Sequence, residues 1–219
     1  MILIVKKKEP DSLIQYRKSS NASFDDLDGN VKDEIRTGLL QEQGYLCAYC
    51  MKRLRDDRMA VKIEHYQPRN SENELQYSNL LAVCDGNQKS RVDPDRFTCD
   101  TRKADRVLKI NPQIKAHMDT VSYKMDGRIC SSEAAFERDL NETLNLNDAQ
   151  GYLRSNRRAA IKPIAKKLSE CRNEAGAVSL LKKLKISTET INRQGQYPEY
   201  AGIQRWYIDR QLRKHNESV

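Results

Sequence analysis

The rhythm of apolar and polar positions changes several times along the chain. Residues 1–27 open with a β-like run, Ile2 to Val5, then meet Pro10 and a polar segment rich in Ser, Asn and Asp. That pattern reads as an arm or loose lead-in. From Asn30 the spacing turns helical, with Val31, Ile35 and Leu39 recurring every fourth residue. Asp33 and Glu34 fall in the first turn, where the helix dipole favours acids; Asn30 is placed to cap and Gly44 to stop the helix. Over 60–66, Val61, Ile63 and His65 alternate with Lys62, Glu64 and Tyr66, the period of a strand.

A polar loop then leads to the apolar run Leu80 to Val83, a second polar loop spans 85–98, and Cys99 to Leu108 predicts a short helix closed by Asn111-Pro112. Beyond it, segments 132–146, 149–171 and 198–215 have helical spacing. The middle one carries an apolar stripe (Leu153, Ile161, Ile164, Leu168) and a basic stripe (Arg154, Arg158, Lys162, Lys166), with Pro163 expected to kink it. The last carries Tyr200, Ile203, Trp206, Tyr207 and Leu212, a cluster that suits either core or an interface. No internal repeat is evident. A boundary near 112–130 divides a cysteine-bearing unit from a helical one.

Composition narrows this picture. Of 219 residues, 38% are hydrophobic and 32% charged, so the core is modest and much of the chain is surface. No run approaches the roughly 18 apolar residues needed to cross a bilayer. The start, five apolar residues followed by Lys6, Lys7 and Lys8, reverses the order of a secretory signal, so a cytoplasmic protein is expected. The net charge of +8 is unevenly held: residues 151–219 carry 15 Lys and Arg against 6 Asp and Glu, which leaves residues 1–150 one charge negative. A basic last third suits nucleic acid as a partner, or is a solvated helical surface.

Six cysteines stand at 47, 50, 84, 99, 130 and 171. Cys47 and Cys50 have the spacing with which a tight turn presents two thiolates to one tetrahedral ion; Cys84 and Cys99 would complete a zinc set, although 14 residues separate them. A redox pair and unrelated buried thiols are the alternatives, the first disfavoured because a helix ends just before Cys47. Cys130 and Cys171 lie outside any ligand spacing. Of the three histidines, His117 and His215 read as surface residues. His65 follows Glu64 on the expected strand, placing an imidazole beside a carboxylate able to hold a metal.

The order Cys47-x2-Cys50, Glu64-His65, Asn79 opening Asn79-Leu80-Leu81-Ala82-Val83-Cys84, and Cys99-Asp100-x2-Lys103 resembles the HNH or ββα-metal endonucleases, directly over 47–108. Leu39 to Cys50, Ile63-Glu64-His65-Tyr66-x-Pro68-Arg69, Leu80 to Gly86 and Ile110-Asn111-Pro112 extend the likeness to the HNH nucleases of Septu-type anti-phage systems, the PtuB-like group also found with retrons. The resemblance implies an α+β, mainly α fold: an arm over 1–29, a zinc-stabilised ββα-metal nuclease domain over 30–112 and a mostly helical region over 113–219. It implies His65 as general base, Glu64 and Asp100 as ligands of a catalytic Mg2+ or Mn2+, Asn79 as brace of the loop that orients the histidine, and Lys103 near the phosphate. Cys47, Cys50, Cys84 and Cys99 would hold structural Zn2+.

Implied partners are nucleic acid, with DNA the first candidate, an SMC- or ABC-like ATPase of the PtuA-like type, and a retron reverse transcriptase complex; no membrane is involved. Arg154, Arg158, Lys162 and Lys166 would track a phosphate backbone or cover a helix face. Three features depart from the general pattern: Glu64 where Asp is commoner, Asp100 where His or Asn is commoner, and the long gap before Cys99, whose Asp85, Asp93 and Asp95 could compete as ligands or simply form turns. The competing reading is a catalytically inactive, zinc-organised module for nucleic-acid binding or assembly.

Overall fold

Helix α2, Gly29–Glu42, is the first long element of the chain, and a side chain other than the expected one begins it. Asp28 is the cap, its carboxylate accepting from the Asn30 N–H at 2.7 Å. Asn30 lies inside the helix. Ile35, Leu39 and Leu40 are fully buried, and the helix stops where Gly44 (φ +58°) and then Tyr45 (φ +59°) turn left-handed. The structure, a computed structural model, describes residues 1–90 and 93–215. Positions 91–92 of the expected loop 85–98 and positions 216–219 of the expected helical region lie outside the described residues.

The lead-in is packed rather than loose. It contains helix α1, Asp11–Tyr16, with Leu13 fully buried, and Ile4 donates its N–H to the Pro112 carbonyl at 2.8 Å. Lys6 reaches the buried Glu42 carboxylate at 2.5 Å and the Leu80 carbonyl at 2.7 Å. The apolar spacing of Ile4 and Leu13 was too sparse to signal this packing.

Strands β1, Lys62–His65, and β2, Leu80–Val83, pair antiparallel, with Glu64 opposite Leu81 and His65 opposite Leu80. β2 is buried throughout, and the end of α2 is clamped to it. The Gln43 side chain accepts from the Ala82 N–H and donates to the Ala82 carbonyl, both at 2.8 Å. The Ala48 N–H donates to the same carbonyl at 3.1 Å.

Helix α3, Cys99–Lys103, is shorter than the expected 99–108 because Ala104 turns left-handed (φ +49°). Helix α4, Lys115–Asp119, follows. A second antiparallel pair, β3 (Val121–Tyr123) and β4 (Ile129–Ser131), was not foreseen. The expected 132–146 helix is broken into α5, Ala134–Arg138, and a π-turn, Asp139–Thr143, ended by left-handed Asn145.

Helix α6, Tyr152–Ser169, accommodates Pro163 without breaking. Its inner face is Leu153, Arg157, Ile161 and Ile164, so a guanidinium occupies part of the anticipated apolar stripe and Leu168 is only half-buried. Arg157, 1% exposed, donates to the carbonyls of Gly127 and Leu146 and to Asn147 Oδ1, tying the second hairpin to α6. Helix α7, Glu174–Glu189, was overlooked; Asn173 caps it by accepting from Gly176 N–H at 2.8 Å. Helix α8, Ala201–Lys214, buries Ile203, Tyr207, Ile208 and Leu212, which favours the core reading of that cluster; Trp206 is half-buried.

The outcome is a mixed α+β structure in which one apolar core takes in Leu39 and Leu81 as well as Ile161 and Ile203. Among the described residues no helix is long and apolar enough to cross a membrane.

Candidate active site

The knuckle Cys47–Cys50 is folded by the backbone around it. Leu46 bridges Arg53, the Cys47 N–H donates to the Lys52 carbonyl at 2.9 Å, and Met51, left-handed at φ +62°, returns its N–H to the Cys47 carbonyl at 3.0 Å. Because Ala48 is hydrogen-bonded to Ala82, the knuckle is held against β2, whose end leads directly into Cys84. The long gap to Cys99 is a loop stitched shut. Thr98 N–H donates to the Gly86 carbonyl at 2.9 Å, and a Cβ on Gly86 (φ +56°) would stand 2.1 Å from the Thr98 carbonyl oxygen, so only glycine permits the approach.

Four thiols therefore converge. The Sγ atoms of Cys47, Cys50, Cys84 and Cys99 all lie within 4.8 Å of one another and all four residues are buried. Cys47 is 3.9 Å from Cys99, and Cys50 is 3.8 Å from Cys84. A tetrahedral ion with bonds of about 2.3 Å sets its sulfurs about 3.8 Å apart, so the cage fits zinc. Burial alone would push the Cys47 thiol up, but the surrounding sulfurs outweigh it and hold that group well below its ordinary range. This is the only group of three or more metal-ligating side chains among the described residues. Asp93 instead accepts from the Asp95 N–H and Asp95 faces Arg102, which are turn roles. Cys130 and Cys171 stand apart as free thiols.

Glu64 and His65 leave β1 on opposite sides. The alternation is as expected, but the inward residue is the carboxylate: Glu64 is 7% exposed, whereas Ile63 and His65 are half-buried. Glu64 receives the Lys103 ammonium at 2.7 Å and the Tyr49 hydroxyl at 3.4 Å, and it is hydrogen-bonded to Asp100. Burial, with Asp100 beside it, pushes the Glu64 carboxyl up to about 9 against the opposing pull of Lys103. At neutral pH the Glu64 carboxyl therefore keeps its proton, whose place a cation can take. Lys103 does not face outward as a phosphate contact would. It is 1% exposed and also donates to the carbonyls of His65 at 3.1 Å and Ala104 at 3.3 Å.

His65 Nε2 lies 2.9 Å from the Glu74 carbonyl oxygen. Phe24, from the lead-in, packs edge-on against the imidazole with centroids 4.5 Å apart, and burial lowers the histidine's pKa below its ordinary value. Asn79 holds the intervening loop closed: its Oδ1 accepts from the Gln67 N–H at 2.8 Å, its Nδ2 donates to the Gln67 carbonyl at 3.2 Å, and its own carbonyl accepts from Tyr66 N–H at 2.8 Å. Glu74 acts through its backbone, so no side-chain pattern could have singled it out. Lys62, two positions before Glu64 on the same strand face, was overlooked although strand periodicity pointed to it.

The basic stripe of α6 is not uniform. Arg158, Lys162 and Lys166 are exposed, but Arg154 is half-buried and paired with Asp126 at 2.9 Å. His117 is not a loose surface residue, since its Nδ1 accepts from the Asn111 N–H at 3.0 Å and its ring packs on Phe136. His215 meets Glu174 at 2.6 Å.

No protein-family profile matches the chain. It is 31% identical over 116 residues to the "Retron Ec83 putative HNH endonuclease" of Escherichia coli, covering 46% of this chain and 45% of that protein. It is 31% identical over 142 residues to the "Retron Vc95 putative HNH endonuclease" of Vibrio cholerae serotype O1 biovar El Tor, covering 59% of this chain and 65% of that protein. The chain thus spans about half to two thirds of the curated relatives it matches. Its likeness is to the HNH endonuclease superfamily, and within that superfamily to proteins associated with retrons.

Proposed function

We propose that this chain is a metal-dependent HNH endonuclease that hydrolyses phosphodiester bonds of nucleic acid, with DNA the first substrate to test. The observation that carries this reading is the contact of His65 with a carbonyl. A carbonyl oxygen only accepts, so Nε2 bears the proton and Nδ1 keeps its lone pair, the form a general base requires. Glu64 and Asp100 are the carboxylates that would hold Mg2+ or Mn2+, whose remaining positions water can fill and which would relieve charge on the scissile phosphate. Asn79 braces the loop behind His65, the four cysteines hold zinc, and the site lies within residues 30–112. Arg158, Lys162 and Lys166, with Arg154 at their margin, would grip the phosphate backbone.

On the likeness to Septu-type, PtuB-like nucleases and to the retron proteins, the nuclease serves as effector of an anti-phage system in the cytoplasm. Its partners would be a PtuA-like, SMC- or ABC-type ATPase and a retron reverse transcriptase complex. The test is cleavage of several nucleic acids with Mg2+ or Mn2+, with and without the ATPase. His65→Ala should lower the rate about a hundredfold to ten-thousandfold while zinc content stays constant; undiminished cutting by that variant would overturn the reading.

A second reading has one observation in its favour. Lys103 already satisfies Glu64, as it would in a zinc-organised module that binds nucleic acid or assembles with partners without cutting. Lack of cleavage with either metal and with every partner present would favour it.

A further inference from the structure

Four charged side chains stand in a row from the interior to solvent. Lys103, Glu64, Asp100 and Lys62 have side-chain exposures of 2, 7, 20 and 36%. Lys103 is paired with Glu64, Glu64 is hydrogen-bonded to Asp100, and the Lys62 ammonium lies 3.4 Å from Asp100 Oδ2. The same ammonium donates to Gln88 Oε1 at 2.8 Å and to Thr101 Oγ1 at 3.0 Å, both neutral groups. Thr101 is itself fixed, its hydroxyl donating to the Asp85 carbonyl at 2.9 Å. The solvent side of Asp100 is thus covered by a cation belonging to the chain.

We propose that Lys62 competes with the divalent ion for Asp100 and thereby sets how readily the site loads metal; this rests on Glu64 and Asp100 being the metal-holding pair. A divalent ion arriving from solvent meets a positive charge beside the oxygen it must bind, and like charges at that separation repel. The ammonium can withdraw from Asp100 and keep Gln88 and Thr101 as acceptors, so the exchange needs no rearrangement of β1. Until metal arrives, each of the two carboxyls has an ammonium beside it, Lys103 against Glu64 and Lys62 against Asp100. Once it arrives, Lys62 remains at the mouth as a positioning residue rather than a metal ligand.

The test is Mn2+ binding by the full chain, followed by the electron paramagnetic resonance signal of the free ion, with zinc content and thermal midpoint checked for each variant. Lys62→Met should bind Mn2+ about threefold to tenfold more tightly, the gain expected when a part-exposed ion pair no longer has to be opened. Lys62→Arg should bind as the parent does, and Asp100→Asn should bind more weakly than either. Lys62→Gln serves in place of the methionine variant if the latter loses zinc or stability. If Asp100→Asn binds Mn2+ like the parent, the metal reading of the carboxylates fails and this inference with it. If Asp100→Asn is impaired but removing the Lys62 charge brings no tightening, the inference alone is overturned.

Discussion

His65 donates from Nε2 to the main-chain carbonyl of Glu74 across 2.9 Å, so a backbone atom decides which ring nitrogen is left to accept a proton. That carbonyl belongs to a loop whose ends are joined by Asn79, which makes the asparagine an indirect determinant of the tautomer. Asn79→Ala should lower the cleavage rate about tenfold to a hundredfold, the usual cost of losing a group that orients a functional one, without releasing zinc. Cleavage kinetics with zinc analysis check this; full activity would separate the loop from the chemistry.

The pH profile should follow His65. Its pKa lies below the ordinary value because burial disfavours the imidazolium. The base form is therefore complete by neutral pH, and the rate should fall only as acid protonates Nδ1, on a limb below about 6.5. The folding contribution has the same sign. Since the unfolded chain takes up the proton first as pH drops, this group lowers stability toward acid and adds no pH dependence well above its ordinary pKa. A rate profile whose acid limb lies above that value would contradict the assignment.

Cys99→Ser should remove the zinc and lower the thermal midpoint by about 10 °C, because one ion would join thiols from the knuckle, the end of β2 and the start of α3. Metal analysis and thermal denaturation test this, and Cys171→Ser is the control expected to change neither.

Arg157 satisfies two carbonyls and an amide oxygen from within the core, so truncation to alanine would strand all three acceptors as well as open a cavity. A loss of about 3 kcal/mol or more is expected in chemical denaturation. Arg157→Lys should not recover it, since an ammonium lacks the planar fork that reaches separate acceptors.

Reversing Arg158, Lys162 and Lys166 to glutamate should weaken DNA binding and reduce the slope of log affinity against log salt by about 3 if each meets a phosphate. Equal slopes for parent and variant would identify a solvated face. Arg154 is left out of that set because its charge is already matched by Asp126.

What the sequence made legible was local. Cys47-x2-Cys50 and Glu64-His65 owe their geometry to a tight turn and to strand alternation, and both were readable from spacing. The second half of the cage was harder, because Cys99 is brought back by the Gly86–Thr98 contact across a loop, which periodicity does not record. Lys103 was set near the phosphate by the resemblance alone, and nothing in the local pattern records that its partner Glu64 lies 39 positions earlier on the inward face of β1. The β3–β4 hairpin went unseen because strands of three residues are too short to display alternation, whereas Val178, Leu181 and Leu184 of α7 do carry helical spacing and that signal was overlooked.

The clamp of Gln43 on Ala82 has a consequence for self-association. In the antiparallel ladder, Leu80, Ala82 and Cys84 turn their peptide groups away from β1, toward what would be an open sheet edge. Lys6 takes the Leu80 carbonyl, Gln43 and Ala48 take both groups of Ala82, and the Cys84 N–H meets Cys47 Sγ at 3.4 Å. With the Leu80 N–H donating to the Tyr77 carbonyl, every outward group within Leu80–Val83 is occupied by the chain itself, so a fully apolar strand that would otherwise invite strand-to-strand aggregation is sealed against pairing with another molecule.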